Sequence, residues 1–116
     1  MAVRIEYVTD VAIVIAAGVF HHGTETELLQ AALKKVIVVE GCRKVLVDLS
    51  QAQIKSSVAI GVLFSAQASA RKSQGHVVLC GVEEPLRKVL SVFHCFDRPL
   101  EIFDSYDAAM EALQKH

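Results

Sequence analysis

The sequence predicts an α/β fold: a mixed β-sheet with a leading hairpin and about four helices, in ββαβαβαβα order, follows from the residues alone. Three observations predict it: short apolar runs with strand period, apolar positions three and four apart between them, and cap or turn residues at the junctions. Residues 3–8 alternate, with Val3, Ile5 and Tyr7 on one side and Arg4 and Glu6 on the other, the pattern of a strand with one wet face. Thr9-Asp10 reads as a tight turn, and the run 11–17, apolar on both faces, as a more central strand that ends at Gly18. Thr24 and Glu27 have capping-box spacing ahead of Leu28, Leu29, Ala32, Leu33 and Val36, which share one helical face; Lys34 and Lys35 suit that helix's negative end. After Gly41, residues 44–49 read as a strand, and 50–57 as a polar stretch broken by Ile54. A second helix is expected over about 58–73, its core stripe being Ala59, Val62, Leu63, Ala66 and Ala70.

Gly75 stops that helix, and residues 76–80 read as a buried strand. Glu83-Glu84-Pro85 marks a third helix start, because proline suits the first helical position and acids the first turn; Leu86, Val89, Leu90 and Phe93 form its buried face. A short strand over 100–103 follows Pro99, and Ser105 caps a last helix expected to bury Tyr106, Ala109, Met110 and Leu113. With 116 residues the chain can bury a core of its own, and residues 1–116 are expected to form a single domain.

Composition narrows the functions. The 12 basic and 13 acidic residues are mixed along the chain, which leaves no electrostatic footprint for nucleic acid or an anionic membrane. The apolar residues come in short runs, so no direct membrane insertion is expected. Glu6 interrupts the place where a signal peptide needs its apolar stretch, which predicts a cytoplasmic protein. Cys42, Cys80 and Cys95 are odd in number and widely spaced, and read as reduced thiols in or near the core.

Catalytic signals are weak. Neither GxGxxG nor GxxxxGK[ST] occurs, and Gly18, Gly23 and Gly41 read as turn or cap residues. His21 and His22 are adjacent and therefore point apart, with no further ligand at a recognised spacing. His94-Cys95 lacks an orienting acid, and sequence neighbours rarely face one another. No catalytic residue, metal or cofactor is expected; a small enzyme or nucleotide-binding protein would need a polar pocket that no motif announces.

The informative stretch is 48–63, Asp-Leu-Ser-Gln-Ala-Gln-Ile-Lys-Ser-Ser-Val-Ala-Ile-Gly-Val-Leu. It resembles the signature of STAS domains in anti-sigma factor antagonists: a strand ending in Asp-Leu-Ser, a short loop, Asp-Ser-Ser-Gly, and a helix opening Leu-Gly-Val-Leu. Residues 78–82 before the third helix, 87–90 within it and 100–105 before the last extend the resemblance over nearly the whole chain. It implies a non-enzymatic module that regulates transcription by binding an anti-sigma factor, often a serine kinase of the histidine-kinase-like ATPase type, and so frees a sigma factor. The alternative within the family is a STAS scaffold or an accessory subunit of a transporter or larger signalling complex.

Laid without gaps through Asp48-Leu49-Ser50 and Gly61-Val62-Leu63, the family's Asp-Ser-Ser-Gly falls on Ser56, Ser57, Val58 and Ala59. The phosphorylated serine of the family is then replaced by Val58, which has no hydroxyl. A one-residue shift brings Ser57 to that place but loses the Gly61 match. A phosphoserine at a helix start would be favoured by the backbone N–H groups and the dipole there, and its charge would disrupt an apolar or acidic partner surface. Ser56 and Ser57 also suit the plainer role of N-caps. Ile60 and Phe64, with Gln67 continuing their stripe, are expected to turn away from the centre of the core face and to meet the partner or a neighbouring helix.

Overall fold

The computed structural model describes residues 2–21, 23–92 and 100–115, and only the backbone of Ser91 and Val92. Strands β1 (Val3–Val8) and β2 (Val11–Phe20) form the leading hairpin, with Val8 opposite Val11 across the two-residue turn Thr9-Asp10. Then come α1 (Thr24–Lys34), β3 (Lys44–Ile54), α2 (Ser57–Lys72), β4 (His76–Cys80), α3 (Glu84–Val92), β5 (Glu101–Phe103) and α4 (Tyr106–Gln114). The sheet order is β1-β2-β3-β4-β5, antiparallel between β1 and β2 and parallel thereafter.

This order has a consequence for the layers. From β2 to β5 each parallel strand is laid on the same side of the one before, and crossovers are right-handed, so every crossover helix falls on the same face. The main core follows that rule: Leu29, Leu33 and Val36 from the α1 segment, Ala59, Leu63 and Ala70 from α2, and Leu86 and Leu90 from α3 all pack with Ala12, Val14, Val45, Val47 and Leu79. Helix α4 follows the last strand and crosses no further one, so it is free to cover the other face. There Ala109 and Leu113 pack on Val11, Ile13, Leu46, Val78 and Cys80.

Several boundaries differ from expectation. Strand β2 runs through Gly18, whose φ is +106°, to Phe20. Strand β3 runs to Ile54 instead of stopping at Leu49, because Gln51 and Gln53 face solvent while Ala52 and Ile54 are buried. Ile15 faces Asp48 and Ala17 faces Gln51, so Leu49 and Ser50 together oppose Ala16 as a bulge. The capping box at Thr24 does not form: Thr24 is already helical, the cap position is Gly23 at φ +124°, and no side chain caps the helix. Instead the Glu27 N–H donates to the Gly23 carbonyl, and the Thr26 hydroxyl donates to the carbonyl of His21.

Helix α1 passes into a π-helical turn over Lys35–Val39. Leu28, expected in its core stripe, is exposed, while Ile37 joins the core. Val89 and Tyr106 lie at the surface rather than under their helices. Helix α2 is stopped by Ser73 and by Gln74 at φ +61°, and Gly75 serves a different purpose: a Cβ there would stand 3.0 Å from the Arg43 carbonyl oxygen. Phe93, His94, Cys95 and Pro99, like His22, lie outside the described residues.

Candidate functional site

The start of α2 is assembled by the long arm of β3. Beyond the bulge, β3 stays paired with β2 as far as Ile54 opposite Phe20, and the Lys55 N–H donates to the Phe20 carbonyl. That fixes the chain one residue before the cap. Ser56 is extended, at φ −141° and ψ 150°, and its Oγ accepts from the Ala59 N–H at 3.1 Å, as an N-cap requires. Ser57 is the first helical residue and Val58 the second; both are exposed, Val58 by 53%. No acidic residue stands in the first turn, so the helix itself brings no negative side chain to the positive end of its dipole, and the exposed Lys55 lies beside it in the chain.

The stripe of Ile60, Phe64 and Gln67 is brought together but not to solvent. Phe64 and Gln67 are each 8% exposed, and Ile60 is half-buried against the main core. Of the two roles expected for this stripe, packing under a neighbouring helix is the one that its burial fits. The cause is the breadth of the buried face: α2 packs against the sheet and against α1 and its π-helical turn, so more than half a turn of the helix is covered. The exposed stripe is Val58, Gly61 and Ser65, three and four residues apart. A Cβ on Gly61 would meet nothing within 4 Å, so this glycine leaves open surface rather than making room for a neighbour. Small and apolar residues at i, i+3 and i+7 were the available signal for this stripe.

The other candidate groups are quiet. Burial, reinforced by the Asp48 carboxylate, pushes the Cys80 thiol up to about 12, and burial with Glu40 raises Cys42 as well. Neither is an activated nucleophile. Asp48 Oδ1 accepts from the Ser50 N–H at 3.0 Å and from the Ser50 hydroxyl at 2.7 Å, which ties the Asp-Leu-Ser segment to the bulge. Gly81 lies directly against this turn: a Cβ on it would stand 2.5 Å from the Ser50 nitrogen. Among the described residues, no group of three or more His, Cys, Asp or Glu could hold a metal ion, and no helix is long and apolar enough to cross a membrane.

A five-stranded mixed sheet with three helices on one face, one on the other, and a capped helix start at the end of a long parallel strand is the architecture of the STAS class. The STAS domain family model matches residues 3–109, and the chain belongs to that family. Solved structures agree in fold. A Thermotoga maritima protein is similar over 97% of this chain and 94% of its own, with 25% identity and a TM-score of 0.83. An anti-sigma-factor antagonist (STAS) domain protein from Planctomyces limnophilus is 24% identical, with coverage of 97% and 98% and a TM-score of 0.80. The Bacillus cell fate determinant SpoIIAA in its phosphorylated form is 15% identical, with coverage of 96% and 98% and a TM-score of 0.77.

Proposed function

We propose that this protein is an anti-sigma factor antagonist that acts by binding, not by catalysis, and that it meets an anti-sigma factor through the start of α2. The observation that carries the reading is Val58: 53% exposed, at the second position of the helix and where the resemblance puts the family's phosphorylated serine. An exposed valine on a helix start, flanked by the open backbone at Gly61, gives a partner an apolar contact at no folding cost. The same valine has no hydroxyl to accept a phosphate. Ser56 is occupied as the helix cap, and Ser57 lies one residue away on a different side of the turn. In-line phosphoryl transfer depends on positioning, so a partner kinase of the histidine-kinase-like ATPase type would not switch this protein off at the usual residue. Binding is then constitutive, and the protein works where its partner does, in the cytoplasm.

Affinity capture from the protein's own cells, with wild type and Val58→Asp as baits and mass spectrometry of the captured proteins, tests this. An anti-sigma factor retained by wild type and lost with Val58→Asp is the expected result. Equal retention by both would remove the start of α2 from the interface. Capture of a transporter or a large signalling assembly in its place would favour the scaffold alternative.

A further inference from the structure

Strand β1 is one edge of the sheet, with β5 at the other. Ala17 N–H donates to the Ala2 carbonyl at 2.7 Å, and the register sets Val3 opposite Ala16, so Ala2 and Ala17 form a hydrogen-bonded pair. In an antiparallel ladder such pairs alternate, which makes Arg4, Glu6 and Val8 the residues bonded to β2 and turns the N–H and C=O groups of Val3, Ile5 and Tyr7 outward. Exposed edges of this kind are usually blunted by a bulge, a proline, charged side chains or a covering helix or loop, and charges block pairing least where they are of opposite sign and can meet each other. β1 has an unbroken register, no proline, and one charge of each sign, Arg4 and Glu6.

We propose that β1 pairs with β1 of a second copy of this chain, antiparallel and centred on Ile5. Twofold symmetry then sets Ile5 against Ile5 and Val3 against Tyr7 as hydrogen-bonded pairs, and Arg4 against Glu6 of the other copy. The last are non-hydrogen-bonded pairs, whose side chains stand closest, so the register gives two cross-strand ion pairs and sets no like charges directly opposite. Among the described residues Arg4 and Glu6 pair with each other, Nε to Oε2 at 3.2 Å, and with side chains 62% and 52% exposed this surface pair can exchange for one across the interface. On the other face, Val3 and Ile5 are half-buried against the main core and Tyr7 is 53% exposed, so the second copy covers apolar surface that the monomer leaves open. This surface does not involve α2 and is independent of the binding proposed there.

Sedimentation equilibrium over a concentration series tests the proposal, with Arg4→Glu and Glu6→Arg as charge-reversed variants whose folding is checked by thermal melts. Wild type should dimerise reversibly. Each variant alone should dimerise about tenfold more weakly or less, because both cross-strand pairs become repulsive. An equimolar mixture of the two should form a heterodimer at least as tight as the wild-type dimer, since every facing pair is again opposite in sign. Wild type that stays monomeric to millimolar concentration would overturn the proposal. So would variants that dimerise as well as wild type, or a mixture that gains nothing over either variant alone.

Discussion

Gly81 combines two constraints that none of the other glycines meets together. Its φ is +70°, and a Cβ would press into the Ser50 backbone at 2.5 Å, where neither side can give because Ser50 belongs to the β3 bulge and is tied to Asp48. Gly81→Ala is expected to cost about 2–4 kcal/mol from left-handed strain and the clash together. A lower urea midpoint at unchanged slope would show it; a loss under half of that would mean that the bulge shifts freely. Val58 is the opposite case, a residue that the fold does not require. Val58→Ser, incubated with the captured kinase and ATP, is expected to gain a phosphate on the new serine, while wild type gains little or none. Efficient wild-type phosphorylation at Ser57 would refute the ungapped placement. Both residues could be read from sequence only in part: the motif located Val58, but nothing local to Cys80-Gly81-Val82 reveals that Ser50 lies against the glycine.

At the scale of the element, α2 divides into a capped, open start and a buried body. Ser56→Ala should cost about 1 kcal/mol, the usual loss for an N-cap whose oxygen satisfies a helical N–H. Leu63, fully buried, should cost about 2–5 kcal/mol on truncation to alanine, and Val58→Ala less than about 1 kcal/mol. Denaturant melts of the three variants check the ranking, and equal losses at Leu63 and Val58 would contradict the placement of the helix. The core stripe of α2 was legible because Ala59, Val62, Leu63, Ala66 and Ala70 keep helical period, and all five are buried. Whether Phe64 and Gln67 meet a partner or a neighbouring helix stayed open in the sequence because periodicity locates the centre of a buried face but not its width, which α1 and its π-helical turn set from outside. The end of β3 was missed for a related reason. Ser50 to Gln53 is polar enough to pass for a loop, yet Ala52 and Ile54 alternate inward once β2 extends past Gly18 to pair with them.

Over the whole molecule, the side on which each crossover helix lies followed from strand order and handedness, whereas the placement of α4 did not, since no later strand constrains it. The two faces share one sheet, and Cys80 sits where they meet. It is 1% exposed, lies in β4 under Ala109 and Leu113 of α4, and its thiol is raised to about 12 by burial and by Asp48. Thiolate is the species that reacts, so at neutral pH the folded protein presents Cys80 both inaccessible and protonated. Cys42 is half-buried in the loop before β3, 3.9 Å from a Glu40 oxygen, and needs only a local opening to be reached. Labelling with a neutral thiol reagent, resolved by peptide mass spectrometry across a series of low urea concentrations, should therefore separate them. Cys80 is expected to react with a urea slope equal to that of global unfolding, because β4 is paired on both sides and α4 cannot leave without exposing the second core. Cys42 is expected to react faster and with a shallow slope. A shallow slope at Cys80 as well would show that α4 opens as a unit of its own, and that the second face is held less firmly than the first.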